Sequence, residues 1–443
     1  MDTVLLYLLG IIAIALGLAA SIALHEVGHL LPAKKFGVRV SQYMIGFGPT
    51  LWSWRRGETE YGFKALPLGG YISMSGMYPP AKAGGRARTA TTGIFNSLVQ
   101  DARSASAEAI VDGEDDRAFY RLPVWKRVVI MFGGPFMNLL IAIVLYAILL
   151  MGFGIPQVST TIGSVSACVI AAGSEQTECL ATDPVAPGKA AGLKPGDTVV
   201  SWDGTAIETW DQATELIRAS AGETVTVVVE RAGADVTLQV TPLLTERYVY
   251  DEAGEVVVGS DGEPETVQVG FLGVGPASER VSQPVTTVLP TVGTNVEAVV
   301  GIIIHLPQRM IDVWNAAFGT EERDPNGPIS VVGIGRVAGE VASIDTIPVV
   351  DRIATLIGLL ASLNVALFVF NLIPLMPLDG GHIAGALWEG LRRSWARLFK
   401  RPDPGPVDTA RLVPLTLAVV VVLGAMSVLL IYADIVKPIS LFG

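Results

Sequence analysis

Charge is the first thing this chain lacks. Only 16% of its residues are Asp, Glu, Lys or Arg, half are hydrophobic, and the mean hydropathy is +0.50. A water-soluble chain of 443 residues needs charge spread along its surface. Here charge is missing from a few long stretches, which argues against the soluble class and for a membrane class. The first stretch also lacks the basic start and small-residue cleavage site of a signal peptide, and it runs on into His25 and Glu26. It reads as a span. Histidine is scarce, with four residues, and cysteine scarcer, with two. The formal net charge of −11 collects mostly in one acidic segment, and no nucleic-acid partner is expected.

Four stretches are long enough to span: Thr3–Leu24, Val128–Phe153, Ile353–Leu375 and Leu412–Tyr432. Each approaches the ~20 apolar residues needed to cross a ~30 Å hydrocarbon core. Leu30–Arg127 carries 14 basic against 8 acidic residues, whereas Gly154–Arg352 carries 10 basic against 27 acidic. Arg392, Arg393, Arg397, Lys400 and Arg401 follow the third span. Basic residues near span ends mark cytoplasmic loops, so both termini and the large acidic segment are expected outside. Cys168 and Cys179 fall in that exported segment, and an even pair there suggests a disulfide.

The expected fold class is an α-helical polytopic membrane protein with about four transmembrane helices, a membrane-associated β-hairpin region and an inserted extracytoplasmic α+β domain. Residues 1–32 form the first transmembrane helix, closed by Pro32. Period-two alternation among Gly and Pro in Ser41–Pro49 and Tyr61–Met74 puts strands or hairpins in 33–78. The Ala/Gly-rich stretch 79–118 is expected to be a disordered cytoplasmic insert, and 119–153 holds the second span, opening on Phe132-Gly-Gly-Pro-Phe-Met-Asn138. Small residues there allow helices to approach closely. Strand-like runs around a short helix at Gln212–Ala219, with Ala191-Gly-Leu-Lys-Pro-Gly-Asp197 before them, make 158–245 resemble the PDZ domains of exported proteases. No second copy is visible. Residues 246–350 read as linker plus an amphipathic helix at Asn295–Phe318, interrupted by His305, Gln308 and Arg309 and therefore expected on the outer membrane surface. The third span with its Leu-Asp-Gly motif takes 351–390, a cytoplasmic loop 391–411, and the fourth span 412–435.

The chemistry centres on His25-Glu-Val-Gly-His29 at the end of the first span. Helix positions i and i+4 share a face, so both imidazoles can meet one Zn²⁺, and Glu26 can serve as general base toward its water. Three ionisable side chains in five positions at a membrane boundary need a compensating partner, each charge costing about 2.5–3.5 kcal/mol. A metal is the best one available. Two histidines leave the site a ligand short. Asn371-Leu-Ile-Pro-Leu-Met-Pro-Leu-Asp-Gly-Gly-His382 ends the third span near the same face and offers both Asp379 and His382. A carboxylate at a membrane boundary itself calls for a cation, and Pro374, Pro377 and Gly380 free the local backbone to aim it. Both points favour Asp379.

HExxH paired with N-x-x-P-x-x-x-L-D-G, in order with GFGP, PLGGY and GGPxxN, resembles the bacterial site-2 protease family of intramembrane zinc metalloproteases, here with one PDZ domain. The resemblance implies that His25, His29 and Asp379 bind Zn²⁺, that Glu26 is the base, and that Asn364 and Asn371 help hold substrate. It also implies cleavage of single-span membrane proteins such as anti-sigma factors in a bacterial cell membrane, after another protease has trimmed them outside. Read from the residues alone, Asn364 and Asn371 can equally be interhelical hydrogen-bond glue. Two rivals are weaker. A catalytically idle PDZ scaffold binding exported C-termini would not need Glu26 and three ligands, and a transporter would call for more spans and an inverted repeat.

Overall fold

The computed structural model describes residues 3–77, 115–170, 174, 176, 178–249, 256–259, 263–324, 327–407 and 412–439. They divide into two compact units, one from 1–153 and 284–443, the other from 154–283.

In the first unit, helix α1 (Thr3–Lys35) has no Asp, Glu, Lys or Arg before Glu26. Pro32 lies inside its last turns rather than closing it. A proline cannot donate to the carbonyl four residues back, which here belongs to Gly28. That carbonyl abuts Gly133 on the next span, and a Cβ at Gly133 would overlap it. Strands β1 (Val40–Arg56) and β2 (Thr59–Met74) form an antiparallel hairpin about Gly57–Glu58. The first strand runs past the expected Pro49. Each strand serves twice: residues 40–45 pair with 70–74 on one side and, from Gln42 onward, with 60–63 on the other. The outer edge of 70–74 has no strand partner among the described residues. Phe47, Trp52, Trp54 and Phe63 are exposed on the hairpin, the composition of a membrane–water boundary.

Of the expected disordered insert, 79–114 lies outside the described residues. Asp115–Arg117 forms a 3₁₀ turn, and Arg117 pairs with Glu58. Helix α2 (Val124–Ala147) follows and continues as a π-helical turn, Ile148–Phe153.

The second unit holds β3 (Ile155–Val165), β4 (Thr198–Trp202), β5 (Thr205–Ala206), helix α3 (Trp210–Ala219), β6 (Val225–Arg231), β7 (Ala234–Val240), β8 (Leu243–Tyr248), β9 (Thr266–Phe271) and β10 (Val274–Val281). One sheet runs β10-β3-β4-β6-β7, with β5 on β4, and β8 and β9 pair separately. Ile162, Trp202, Val227, Val229 and Val240 fill its core. Because β10 pairs along β3 from Val274 opposite Val165 to Val281 opposite Ile155, the unit ends at Gln283 rather than at 245. Strands β9 and β10 thus fall in a stretch expected to be linker. Cys168 and Cys179 are joined as a disulfide, their Cα atoms 5.9 Å apart. Buried Asp197 accepts two hydrogen bonds from Arg231 and one from the Lys194 amide, and the Arg231 guanidinium holds its carboxyl below the usual carboxylate range.

Returning to the first unit, the expected surface helix at Asn295–Phe318 is two helices, α4 (Val288–Ile304) and α5 (Leu306–Phe318). The polar residues that interrupt the apolar run, His305, Gln308 and Arg309, all fall at or after the break, where Pro307 opens the second helix. What precedes it carries no charged residue except Glu297, and with one 3₁₀ turn it is long and apolar enough to cross a membrane. The described residues thus contain five such helices rather than four. Val296, Val300 and Ile303 line an apolar cavity with Phe368, Leu372 and Ile373. This first helix packs against the helix that carries Phe368.

Helices α6 (Val331–Ser343), α7 (Val349–Asn371), α8 (Asp379–Leu398) and α9 (Val413–Val436) complete the unit. The expected single helix over 351–390 is interrupted: α7 stops at Asn371, and α8 begins at Asp379 and runs well into the expected loop 391–411. Pro374 and Pro377 in the gap cannot continue a hydrogen-bonded ladder.

Candidate metal centre

Two segments distant in sequence meet at one point. His25 and His29 stand one turn apart on α1, and Asp379 opens α8. The two Nε2 atoms are 3.2 Å apart, and each lies 3.3 Å from Oδ2 of Asp379. A charge-assisted N–H···O bond is shorter, about 2.7–2.9 Å. The edges instead match a tetrahedral site with bonds of about 2.0–2.1 Å, whose ligands stand ~3.3 Å apart. Asp379 Oδ2 and His25 Nδ1 are buried without a hydrogen-bond partner among the described residues. His29 Nδ1 donates to the Ile130 carbonyl at 2.7 Å, so its Nε2 carries the lone pair a metal needs. Two imidazole nitrogens and one carboxylate oxygen are a donor set for Zn²⁺ that leaves a fourth position for water or substrate. No other group among the described residues gathers three such ligands.

Glycines shape the walls. A Cβ at Gly134 would overlap Nε2 of His29 and stand 2.7 Å from Nε2 of His25. A Cβ at Gly70 would press within 3.0 Å of Cγ of Glu26. The buried Glu26 side chain therefore sits between the two ligands in sequence and against Gly70, on the strand whose outer edge lacks a strand partner among the described residues, in space.

The sequence matches the model of peptidase family M50 over residues 13–400. The chain belongs to that family. Zinc metalloprotease Rip1 of Mycobacterium tuberculosis is 34% identical, with 99% of this chain and 100% of the relative covered. Rip1 of Mycolicibacterium smegmatis is 32% identical over 98% and 99% of the two chains, and metalloprotease MmpA of Caulobacter vibrioides 28% over 87% and 88%. Membership in the M50, or site-2 protease, family makes this chain a zinc metalloprotease and a multi-pass membrane protein.

Other residues singled out in the sequence stand apart from the triangle. His382 lines a small cavity with Arg127, Tyr120 and Glu389. Asn364 is fully buried and donates to Ser21 Oγ at 2.9 Å, linking α7 to α1 one turn before His25. Asn371 donates to the Leu367 carbonyl of its own helix. Sequence reasoning assigned no role at the centre to Gly134, Ile130, Ser21 or Asn138. Asn138 is buried one turn beyond Gly134 with both side-chain polar atoms unpartnered among the described residues, and the Gly-Gly-Pro-x-x-Asn motif was its available signal.

Gly134→Ala should be costly out of proportion to one methyl group. Its Cβ displaces both imidazoles, and zinc affinity is expected to fall about 10–100-fold, the range seen when ligand orientation is lost. Competition with a fluorescent zinc chelator measures this; wild-type affinity in the variant would mean that α2 does not set the ligand geometry.

Proposed function

We propose that this chain is an intramembrane endopeptidase that holds Zn²⁺ through His25, His29 and Asp379 and cleaves single-span membrane proteins, anti-sigma factors among them, after another protease has shortened their outer part. The observation that carries the reading is the near-equilateral ligand triangle, buried and with its carboxylate oxygen otherwise unpartnered. Bound zinc supplies Lewis-acid polarisation of the scissile carbonyl and lowers the pKa of water. Glu26 accepts a proton from the attacking water and returns it to the leaving amine.

A substrate helix keeps its amides bonded internally and must unwind before attack. The free edge of 70–74, beside Glu26, supports a docking mode in which the unwound segment adds as a further strand. On this reading Asn364 and Asn371 act on the α7 side, Asn371 as the more accessible contact and Asn364 through the α1–α7 link. The basic residues flanking α1, α2 and α8 favour a cytoplasmic position for the metal centre, and the acidic composition of 154–283 favours the opposite side for that unit, as does its disulfide.

The PDZ-like unit then restricts access rather than performs chemistry. Deleting 154–283 is expected to leave zinc in place and to permit cleavage of substrates whose outer domains remain untrimmed. Cleavage of matched trimmed and untrimmed substrates by both forms of the purified chain tests this. If the deletion abolishes turnover on both while zinc stays bound, the gating role is wrong.

A further inference from the structure

One face of α8 is uncovered among the described residues. Trp388, Leu391, Trp395 and Leu398 recur at spacings of three and four, a single helical stripe, and are 55%, 58%, 58% and 75% exposed. Glu389 belongs to another face. It is buried, accepts hydrogen bonds from both terminal nitrogens of Arg127 on α2, and also pairs with Arg393. That clamp fixes the rotation of α8 and holds the tryptophan stripe outward. Beside the stripe stand Arg392, Arg397, Lys400 and Arg401, and none of these four has a carboxylate partner among the described residues. Trp388, Leu391, Trp395, Arg392 and Arg401 line one groove of about 610 Å³ together with Pro402. On the other flank, Arg397 and Leu387 line a second groove with Trp125 at the start of α2.

The setting selects the occupant. Helix α7, a candidate span, ends at Asn371, and α8 begins eight residues later. α2, another candidate span, begins at Val124 beside α8. The stripe and its cations therefore lie where two spans leave the hydrocarbon. Tryptophan is enriched at that depth, and a helix with an apolar face and uncompensated arginines binds there through buried area and attraction to anionic lipid. We infer that α8 lies in the bilayer interface as a site selective for anionic phospholipids, with Trp388, Leu391 and Trp395 among the acyl chains and Arg392, Arg397 and Arg401 on the phosphodiester groups. Because Asp379 is the first residue of the same helix, the lipid that seats α8 also steadies the metal-facing carboxylate. The lipid site does not depend on which side of the membrane the helix faces.

The full-length chain in phosphatidylcholine nanodiscs, with and without phosphatidylglycerol, provides the test. Hydrogen exchange over residues 385–402 should slow when phosphatidylglycerol is present, and phosphatidylglycerol should be retained over phosphatidylcholine on extraction into detergent. A triple variant, Arg392→Gln with Arg397→Gln and Arg401→Gln, should lose that preference by roughly fivefold per charge removed. The matching Arg→Lys variant should keep most of it, and zinc content in both reports that the fold is intact. Equal retention of the two lipids by the wild-type chain, or unchanged preference in the triple Gln variant, would overturn the inference. Slowing by soluble glycerol phosphate alone would also overturn it in favour of a free-phosphate site, and protection that rises with protein concentration would assign the face to a second copy.

Discussion

Glu26→Gln is expected to retain zinc and to lose cleavage by roughly 10²–10⁴-fold. The amide keeps the volume of the carboxyl, so the close fit against Gly70 survives. It cannot accept the proton of an attacking water. Glu26 is not one of the three groups whose atoms converge, so removing its charge leaves the ligand set whole. Zinc content and turnover on a single-span substrate, measured on the same purified sample, separate the two effects. Turnover within tenfold of wild type would reject Glu26 as the base. Loss of zinc together with activity would mean that its charge helps to hold the ion.

A second large effect is expected at Asp379, and its control is three residues away. Asp379→Ala removes the only carboxylate in the triangle and leaves two imidazoles, one with a buried, unpartnered Nδ1. Zinc affinity should fall by more than about 100-fold, beyond the loss typical of an outer-shell partner, and cleavage should disappear with it. His382→Ala should retain zinc and most activity, because that ring borders a different cavity beside Arg127 and Glu389. Metal analysis of the two purified variants decides between them. Zinc lost from His382→Ala and kept in Asp379→Ala would exchange the carboxylate for a third histidine.

The centre was legible in the sequence to the extent that it is local. Two imidazoles four residues apart share a helical face whatever surrounds them, and two prolines ahead of Asp379 mark a break that any helix must respect. The parts that depend on packing were hidden. Gly134 reads in sequence only as a small residue in a span; that it lies under both imidazoles follows from the α1–α2 approach at Gly28 and Gly133. The break at His305 was masked because apolar residues continue on both sides of it, so a window centred on Asn295–Phe318 mixed an apolar helix with a polar-faced one. The edge strand β10 lies far from β3 in sequence, separated by the rest of its own sheet, and period alone could not assign it to the same unit. The Arg127–Glu389 clamp joins residues 262 apart, a separation at which charge pattern carries no register.

The distance along the chain between the last histidine of the triangle and its aspartate has a consequence in time. His29 leaves the ribosome 350 residues ahead of Asp379, a gap of about 20–70 s at ordinary rates of bacterial synthesis. Until Asp379 is made, the proposed ligand set holds two imidazoles and no carboxylate, too few ligands for a tight zinc site. On the proposed ligand set, the nascent chain lacks its third ligand while candidate spans between the two motifs are being made. The third ligand of that set is added only when the first residue of α8 is made, with one candidate span, α9, still to follow.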